Sequence, residues 1–92
     1  MMPVVFRAEA AEDLRGIVAW YEGIAPDLSV NILADIHRSI DLIRRYPRSG
    51  IAVPGRRFRR IVTLKYHFKV AYTIGTHEIV VLGIFRFQDR RR

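Results

Sequence analysis

The sequence contains no cysteine, so neither a disulfide framework nor a thiolate metal site is available to the chain. It has no apolar run that approaches the roughly 20 residues of a membrane span, and its start lacks the basic and long apolar segments of a secretory signal. No two histidines have the i, i+4 spacing of a helical metal site. We therefore expect a cytoplasmic protein with no metal, no cofactor and no membrane contact.

Acidic residues are scarce in the second half of the chain. Residues 1–46 hold five arginines and seven acidic residues, whereas residues 47–92 hold eleven lysines and arginines against only Glu78 and Asp89. A positive field of this kind attracts nucleic acid, acidic protein or anionic membrane. The asymmetry favours a polyanionic partner over a surface charge that serves solubility alone.

The 92 residues, half of them hydrophobic, suffice for one small domain with a thin core. Apolar residues recur at helical spacing in two segments, as Leu14, Ile17, Val18 and Tyr21 in the first and as Leu33, Ile36, Ile40 and Ile43 in the second. Gly23 and Pro26 end the first helix, Asp27 can cap the second, and Tyr46 before Pro47 ends it. A connection of about four residues predicts an αα-hairpin.

Strand patterns occupy the two ends of the chain. A short apolar run at residues 4–6 predicts a first strand, and residues 47–55 read as a loop. The next strand is expected to continue through residue 66, with Phe58, Val62, Leu64 and Tyr66 on one face. Residues 68–74 alternate with a period of two, and Gly75-Thr76 has the composition of a tight hairpin turn before the last strand.

The predicted order is therefore β-α-α-β-β-β, an α+β fold in a single domain over residues 1–92. The αα-hairpin should pack on one face of a mainly antiparallel four-stranded sheet. The last strand is nevertheless apolar on both faces, because Val80, Leu82 and Ile84 alternate with other apolar residues. Either the tail folds back over the second face or a partner covers it, and we favour a partner.

Several segments in this order resemble the ParE branch of the ParE/RelE toxin superfamily of bacterial toxin–antitoxin pairs. They are residues 10–14 with Ile17 and Tyr21, a second apolar helix ending in Tyr46-Pro47, Gly50 in the loop, residues 59–62, residues 66–72 and residues 79–82. The resemblance implies a toxin that inhibits DNA gyrase by stalling it on cleaved DNA. It also implies a hetero-oligomer with a cognate ParD-like antitoxin, whose C-terminal segment wraps the toxin.

The alternative within the superfamily is a RelE-like, ribosome-dependent mRNA endonuclease. Such an enzyme needs a base, an acid and cations around the scissile phosphate. Phe85-Arg86-Phe87 stand where many relatives carry a His-Arg pair, and arginine is a poor proton shuttle. His67 and Tyr66 are the remaining weak catalytic candidates, so we expect a protein-binding toxin rather than an enzyme.

The resemblance and the charge pattern together nominate binding residues. Arg59 matches the arginine that relatives carry before an Ile-Val pair, and Trp20 is an aromatic of the kind that anchors interfaces. The expected target-binding residues are Arg59, Arg60, Lys65, Arg86, Arg90 and Arg91, and the expected antitoxin-binding residues are Trp20, Ile61, Val80, Leu82 and Ile84. Direct nucleic-acid binding is a secondary expectation, and a basic nucleic-acid-binding module without toxicity is a third class of function.

Overall fold

A helical hairpin lies against one face of a mixed five-stranded sheet in the computed structural model, which describes residues 2–86. The elements are β1 (Val4–Phe6), α1 (Ala8–Ile24), α2 (Pro26–Arg45), a 3₁₀ turn (Pro47–Ser49), β2 (Ile51–Ala52), β3 (Arg59–Val62), β4 (Lys69–Ile74) and β5 (Ile79–Phe85). The strands are arranged in the order β1-β5-β4-β3-β2, and only the β1–β5 pair is parallel. The α+β class and the hairpin on a mainly antiparallel sheet are confirmed.

The sheet has five strands where the sequence predicted four. The additional strand is β2, in which Ile51 pairs with Arg60 and Ala52 pairs with Arg59. Two residues are too few to leave a period of two in the sequence, so the segment reads as part of a loop. Pairing with β3 alone defines this strand.

The two helices meet more tightly than the sequence predicted. Ala25 is the only residue between them, and its extended backbone (φ −155°, ψ 97°) turns the chain. Pro26 occupies the first turn of α2, where a missing amide proton costs nothing. Gly23 therefore belongs to α1, and Asp27 lies in the first turn of α2 without capping it through its side chain.

The core forms between the helices and the central strands β4 and β5. Its buried members are Ala10, Ile17, Ile32, Ile36, Ile40, Ile43, Phe68, Val70, Tyr72, Ile79, Val81 and Ile84. Leu33 is only partly buried and Val30 is 66% exposed. The predicted stripe of α2 is thus correct at Ile36, Ile40 and Ile43. The sequence pattern also adds Ile32 and Val30 to this apolar face, and of these two Ile32 is buried and Val30 is not.

An irregularity in β5 changes which side chains face the helices. Tyr72 pairs with Val81 but its neighbour Ala71 pairs with Gly83, so Leu82 is an extra residue on β5. A bulge of this kind reverses the alternation of side chains beyond it. Ile84 consequently joins Val81 in the core instead of sharing a face with Leu82, as the alternation in the sequence predicted.

The strand expected to continue through residue 66 ends at Val62. Beyond it, Thr63 and Phe68 close a tight connection: the Thr63 amide donates to the Phe68 carbonyl at 2.8 Å, and the Phe68 amide donates to Thr63 Oγ1 at 2.9 Å. His67 has a positive φ of 60° within this connection, and Leu64 is 89% exposed. A local turn therefore overrides the strand pattern that the sequence shows here.

Candidate partner-binding surfaces

The sheet face opposite the helices carries apolar and basic side chains. Val70 and Tyr72 of β4 and Ile79 of β5 pack in the core with the helices. Side chains alternate along a strand, so the residues next to these three face away from the helices. Following the registers, this face includes Val5, Ile51, Arg60, Val62, Lys69, Ala71, Thr73, Val80 and Phe85, and we call it the open face. Val5 is 38% exposed, Phe85 44% and Ile51 69%.

The five expected antitoxin-binding residues do not form one surface. Val80 lies on the open face and Leu82 at the bulge, both partly buried. Ile61 pairs with Val70, and its side chain packs against the core from the helix side. Ile84 is 3% exposed, which leaves almost no side-chain surface for a partner. Trp20 is on α1.

Trp20 is exposed on α1 and lies next to the end of β5. Its side chain is 56% exposed, and the guanidinium carbon of Arg86 lies 5.4 Å from the centroid of its ring and 5.9 Å from that of Tyr21. Cation–π contacts at exposed sites contribute about 0.5–1 kcal/mol. Arg86, an expected target-binding residue, therefore lies against Trp20 on the side of the sheet that faces α1.

The other expected target-binding cations are dispersed. Arg59 is partly buried, and its Nη1 donates to the Gly50 carbonyl at 2.7 Å and to the Arg48 carbonyl at 3.4 Å. Arg60 is exposed on the open face, and Lys65 is exposed in the β3–β4 connection. Arg90 and Arg91 lie outside the described residues. Arg59 thus already holds the chain around Gly50, and a role in target binding remains a prediction.

Gly50 is fixed from two sides. Its amide donates to Tyr72 Oη at 2.9 Å, and Tyr72 Oη donates to the Pro47 carbonyl at 2.7 Å. A Cβ atom at Gly50 would lie 2.6 Å from Tyr72 Oη and 3.0 Å from the Arg60 carbonyl. The fully buried Tyr72 therefore anchors the segment between α2 and β2, and only glycine allows that approach.

The weak catalytic candidates lie in the β3–β4 connection, which is attached to α2 through Asp35. One carboxylate oxygen of Asp35 accepts from the Tyr66 amide at 2.7 Å, and the other accepts from the Lys65 amide at 3.1 Å. The Tyr66 side chain packs against the core, while His67 is exposed. This arrangement gives Tyr66 and Lys65 a structural role; a catalytic role for His67 and Tyr66 remains a prediction.

Asp35 is the residue that the sequence analysis missed. Its side chain is 1% exposed, and it lies on the face of α2 that also carries Ile32 and Ile36. Burial raises the pKa of Asp35, but hydrogen bonds from Thr63, Tyr66 and Lys65 and the charge of Arg38 at 3.5 Å outweigh it, so the pKa is below its ordinary value. An acid within an apolar stripe is the signal that could have revealed this contact.

Among residues 2–86, no group of three or more histidine, aspartate or glutamate side chains is arranged to hold a metal ion. Neither α1 nor α2 combines the length and apolar character of a membrane-spanning helix.

Solved structures with this fold include toxin–antitoxin proteins. A structure described as the chromosomal ParDE TA system from P. aeruginosa has a TM-score of 0.82 and 21% identity, and the match covers 96% of this chain and 98% of that chain. A solution structure of the conserved hypothetical protein HP0894 from Helicobacter pylori has a TM-score of 0.57 and 12% identity, with 92% of this chain and 93% of that chain covered. Both likenesses concern the fold.

The family follows from the sequence. The family model described as the ParE toxin of the type II toxin–antitoxin system parDE matches residues 4–92. The chain therefore belongs to the ParE toxin family. A comparison with curated proteins gives no match.

Proposed function

We propose that this protein inhibits DNA gyrase in the bacterial cytoplasm and is neutralised by a ParD-like antitoxin bound to its open face. The match of the ParE toxin family over residues 4–92 is the observation that supports the toxin function most strongly. The likeness to a structure described as a ParDE system supports an antitoxin partner. In this proposal the chain acts by binding another protein, and it needs no metal or cofactor.

The open face supports the antitoxin site through its chemistry. Val5 and Val80 are paired neighbours on β1 and β5, and Phe85 lies further along β5; we call these three residues the apolar strip. Arg60 and Lys69 place positive charge on β3 and β4 of the same face. The complementary partner is an amphipathic segment with an apolar side and acidic residues along its margin. Burying the apolar strip would also remove exposed hydrophobic surface from water.

Among the target-binding residues that the sequence nominated, gyrase contact is assigned to the exposed cations that no carboxylate pairs with in residues 2–86. Arg60 and Lys65 meet this condition. Arg86 is held over Trp20 and can supply a third contact at the end of β5. Because Arg60 also lies on the open face, an antitoxin seated there would cover one of the target contacts, which accounts for neutralisation.

The experiment for the target uses purified gyrase and supercoiled plasmid. We expect linear plasmid to accumulate with the wild-type chain, and less of it with Arg60→Gln. Arg15→Gln is the matched control, because Arg15 is an exposed arginine that pairs with Glu12 on α1. Absence of linear DNA, together with cleavage of mRNA on programmed ribosomes that requires His67, would instead establish the RelE-like endonuclease.

The experiment for the antitoxin uses the product of the neighbouring reading frame, expected to be small and acidic. Val5→Glu places a negative charge on the open face and should weaken the complex, whereas Val30→Glu at an exposed position of α2 should not. Calorimetric titration of both variants measures the difference. Equal affinity of the two variants would show that the antitoxin binds elsewhere.

A further inference from the structure

Two adjoining cavities lie where the end of α2 meets the ends of β2, β3 and β4. One has a volume of about 600 Å³ and is lined in part by Arg45, Tyr46 and Arg48. The other, of about 200 Å³, is lined in part by Arg56, Arg57 and Arg59. Ile74 lines both, so the two cavities are neighbours, and we call them together the basic groove.

The basic groove has a strong excess of positive charge. No carboxylate lines either cavity, and residues 47–77 contain no aspartate or glutamate. Arg45 pairs with Asp41 at 3.4 Å, but Arg48, Arg56 and Arg57 have no ion pair among the described residues. Cations without partners in a concave site are an arrangement that binds phosphate groups.

The groove also carries an aromatic side chain in solvent. Tyr46 ends α2, its amide donates to the Leu42 carbonyl at 2.8 Å, and its side chain is 62% exposed. An exposed aromatic next to a basic channel allows an unpaired base to stack while the backbone phosphates contact the cations. Arginines line both cavities, so a ligand with several phosphates matches them better than a single phosphate does, and among polyanions a nucleic acid also offers a base for Tyr46.

The backbone of one wall of the groove is held in place before any ligand binds. Tyr72 donates to the Pro47 carbonyl and accepts from the Gly50 amide, while Arg59 donates to the Gly50 carbonyl. The segment that carries Arg48 is therefore fixed between two buried or partly buried side chains. A site that is already ordered loses less conformational entropy when a ligand binds.

From these observations we propose that the basic groove binds a single strand of nucleic acid. The phosphates contact Arg48, Arg56 and Arg57, and one base stacks on Tyr46. This site is different from the open face, and it requires neither an antitoxin nor gyrase. Nucleic-acid binding by the basic groove can therefore be tested independently of the gyrase assay, and failure of one proposal does not imply failure of the other.

The test is fluorescence anisotropy of the full chain with an oligothymidine of about 12 nucleotides, a length within the range that single binding modules cover. Wild-type affinity should fall with salt, with a logarithmic slope of about −2 for three phosphate contacts. Tyr46→Ser should weaken binding about five-fold or more, through the loss of stacking. Arg57→Gln should weaken it and reduce the salt slope by about 0.7.

Matched controls separate a groove from net charge. Arg15→Gln removes the same charge from α1, whose residues line neither cavity, and should leave the affinity unchanged within about two-fold. A polyglutamate peptide should compete poorly, and a duplex of the same length should bind more weakly than the single strand. Thermal unfolding of each variant shows that its fold is intact.

Several results would overturn the proposal. Equal weakening by Arg15→Gln and Arg57→Gln would mean that binding follows net charge alone. Competition by polyglutamate as strong as that by oligothymidine would identify an acidic protein as the ligand class. Unchanged oligonucleotide affinity of a folded Tyr46→Ser variant would contradict the stacking on Tyr46. Absence of oligonucleotide binding at low salt would refute the proposed site.

Discussion

Replacing Asp35 by asparagine should destabilise the protein, because the carboxylate attaches the β3–β4 connection to α2. Asp35 accepts hydrogen bonds from the backbone amides of Lys65 and Tyr66 and is 1% exposed. A hydrogen bond to a charged group contributes about 1.5–3 kcal/mol. The asparagine side chain has one carbonyl oxygen, which can accept from one of the two backbone amides. It carries no charge, and its NH₂ group would face the other amide, which it cannot accept from.

The expected loss in the free energy of unfolding is about 2–3 kcal/mol. The ion pair with Arg38 adds little, because that side chain is 60% exposed and solvent screens its charge. Domains of this size have total stabilities of about 5–15 kcal/mol, so the change is large. The midpoint of thermal unfolding should fall by about 10–20 °C.

Urea unfolding followed by circular dichroism measures the difference between wild type and Asp35→Asn. Asp41→Asn is the matched control on the same helix, because its carboxylate is 47% exposed and, within residues 2–86, forms ion pairs with Arg44 and Arg45 alone. The control should change stability by no more than about 0.5–1 kcal/mol. An Asp35→Asn variant as stable as Asp41→Asn would refute the view that this carboxylate holds the connection.

The same contact predicts a dependence on pH. Hydrogen bonds from Thr63, Tyr66 and Lys65, together with Arg38, hold the pKa of Asp35 below its ordinary value of 3.8 although burial raises it. A lowered folded-state pKa means that the stabilisation is fully present above the unfolded value and is lost as the pH falls through the folded value. Wild-type stability should therefore decline below about pH 4 more steeply than that of Asp35→Asn.

Two substitutions test the anchoring of the segment between α2 and β2. Gly50→Ala should destabilise the fold by about 2 kcal/mol or more, because its Cβ would lie 2.6 Å from Tyr72 Oη. Gly16→Ala is the control at an exposed position of α1: its Cβ would meet nothing within 4 Å, so it should be neutral or stabilise the fold by up to about 1 kcal/mol. Tyr72→Phe removes the bonds to Pro47 and Gly50 and should cost about 1–3 kcal/mol. Thermal unfolding measures all three changes, and a Gly50→Ala variant as stable as wild type would contradict the close approach.

The sequence predicted the elements whose pattern is local. The stripe of α2, the alternation of β4 and the end of α2 before Pro47 each depend on neighbouring residues, and each appears in the structure. The interpretation failed where a distant contact decides the conformation. β2 exists only by pairing with β3, and the strand ends at Val62 because Thr63 and Asp35 hold the following turn.

The site residues divide in the same way. Sequence reasoning placed Trp20 on the surface, since it falls beside the core stripe of α1, and the structure exposes it. It grouped Ile84 with Val80 and Leu82, because alternation cannot reveal a bulge that only the pairing of β5 with β4 defines. Arg59 was selected because it matches the arginine that relatives carry before an Ile-Val pair, whereas its contact with the Gly50 carbonyl required knowledge of the folded loop.

The parallel pair β1–β5 also constrains the order in which the protein can be assembled during synthesis. Val4 lies opposite Ile79, and Asp13 accepts a hydrogen bond from the Ile84 amide at 3.0 Å, across 71 positions of the chain. The helical hairpin and the β4–β5 hairpin can form from neighbouring residues, but β1 must wait for the last strand to leave the ribosome. Until then the apolar faces of both helices lack the strand that completes their packing, so a chain arrested before residue 79 should remain open to proteases and chaperones.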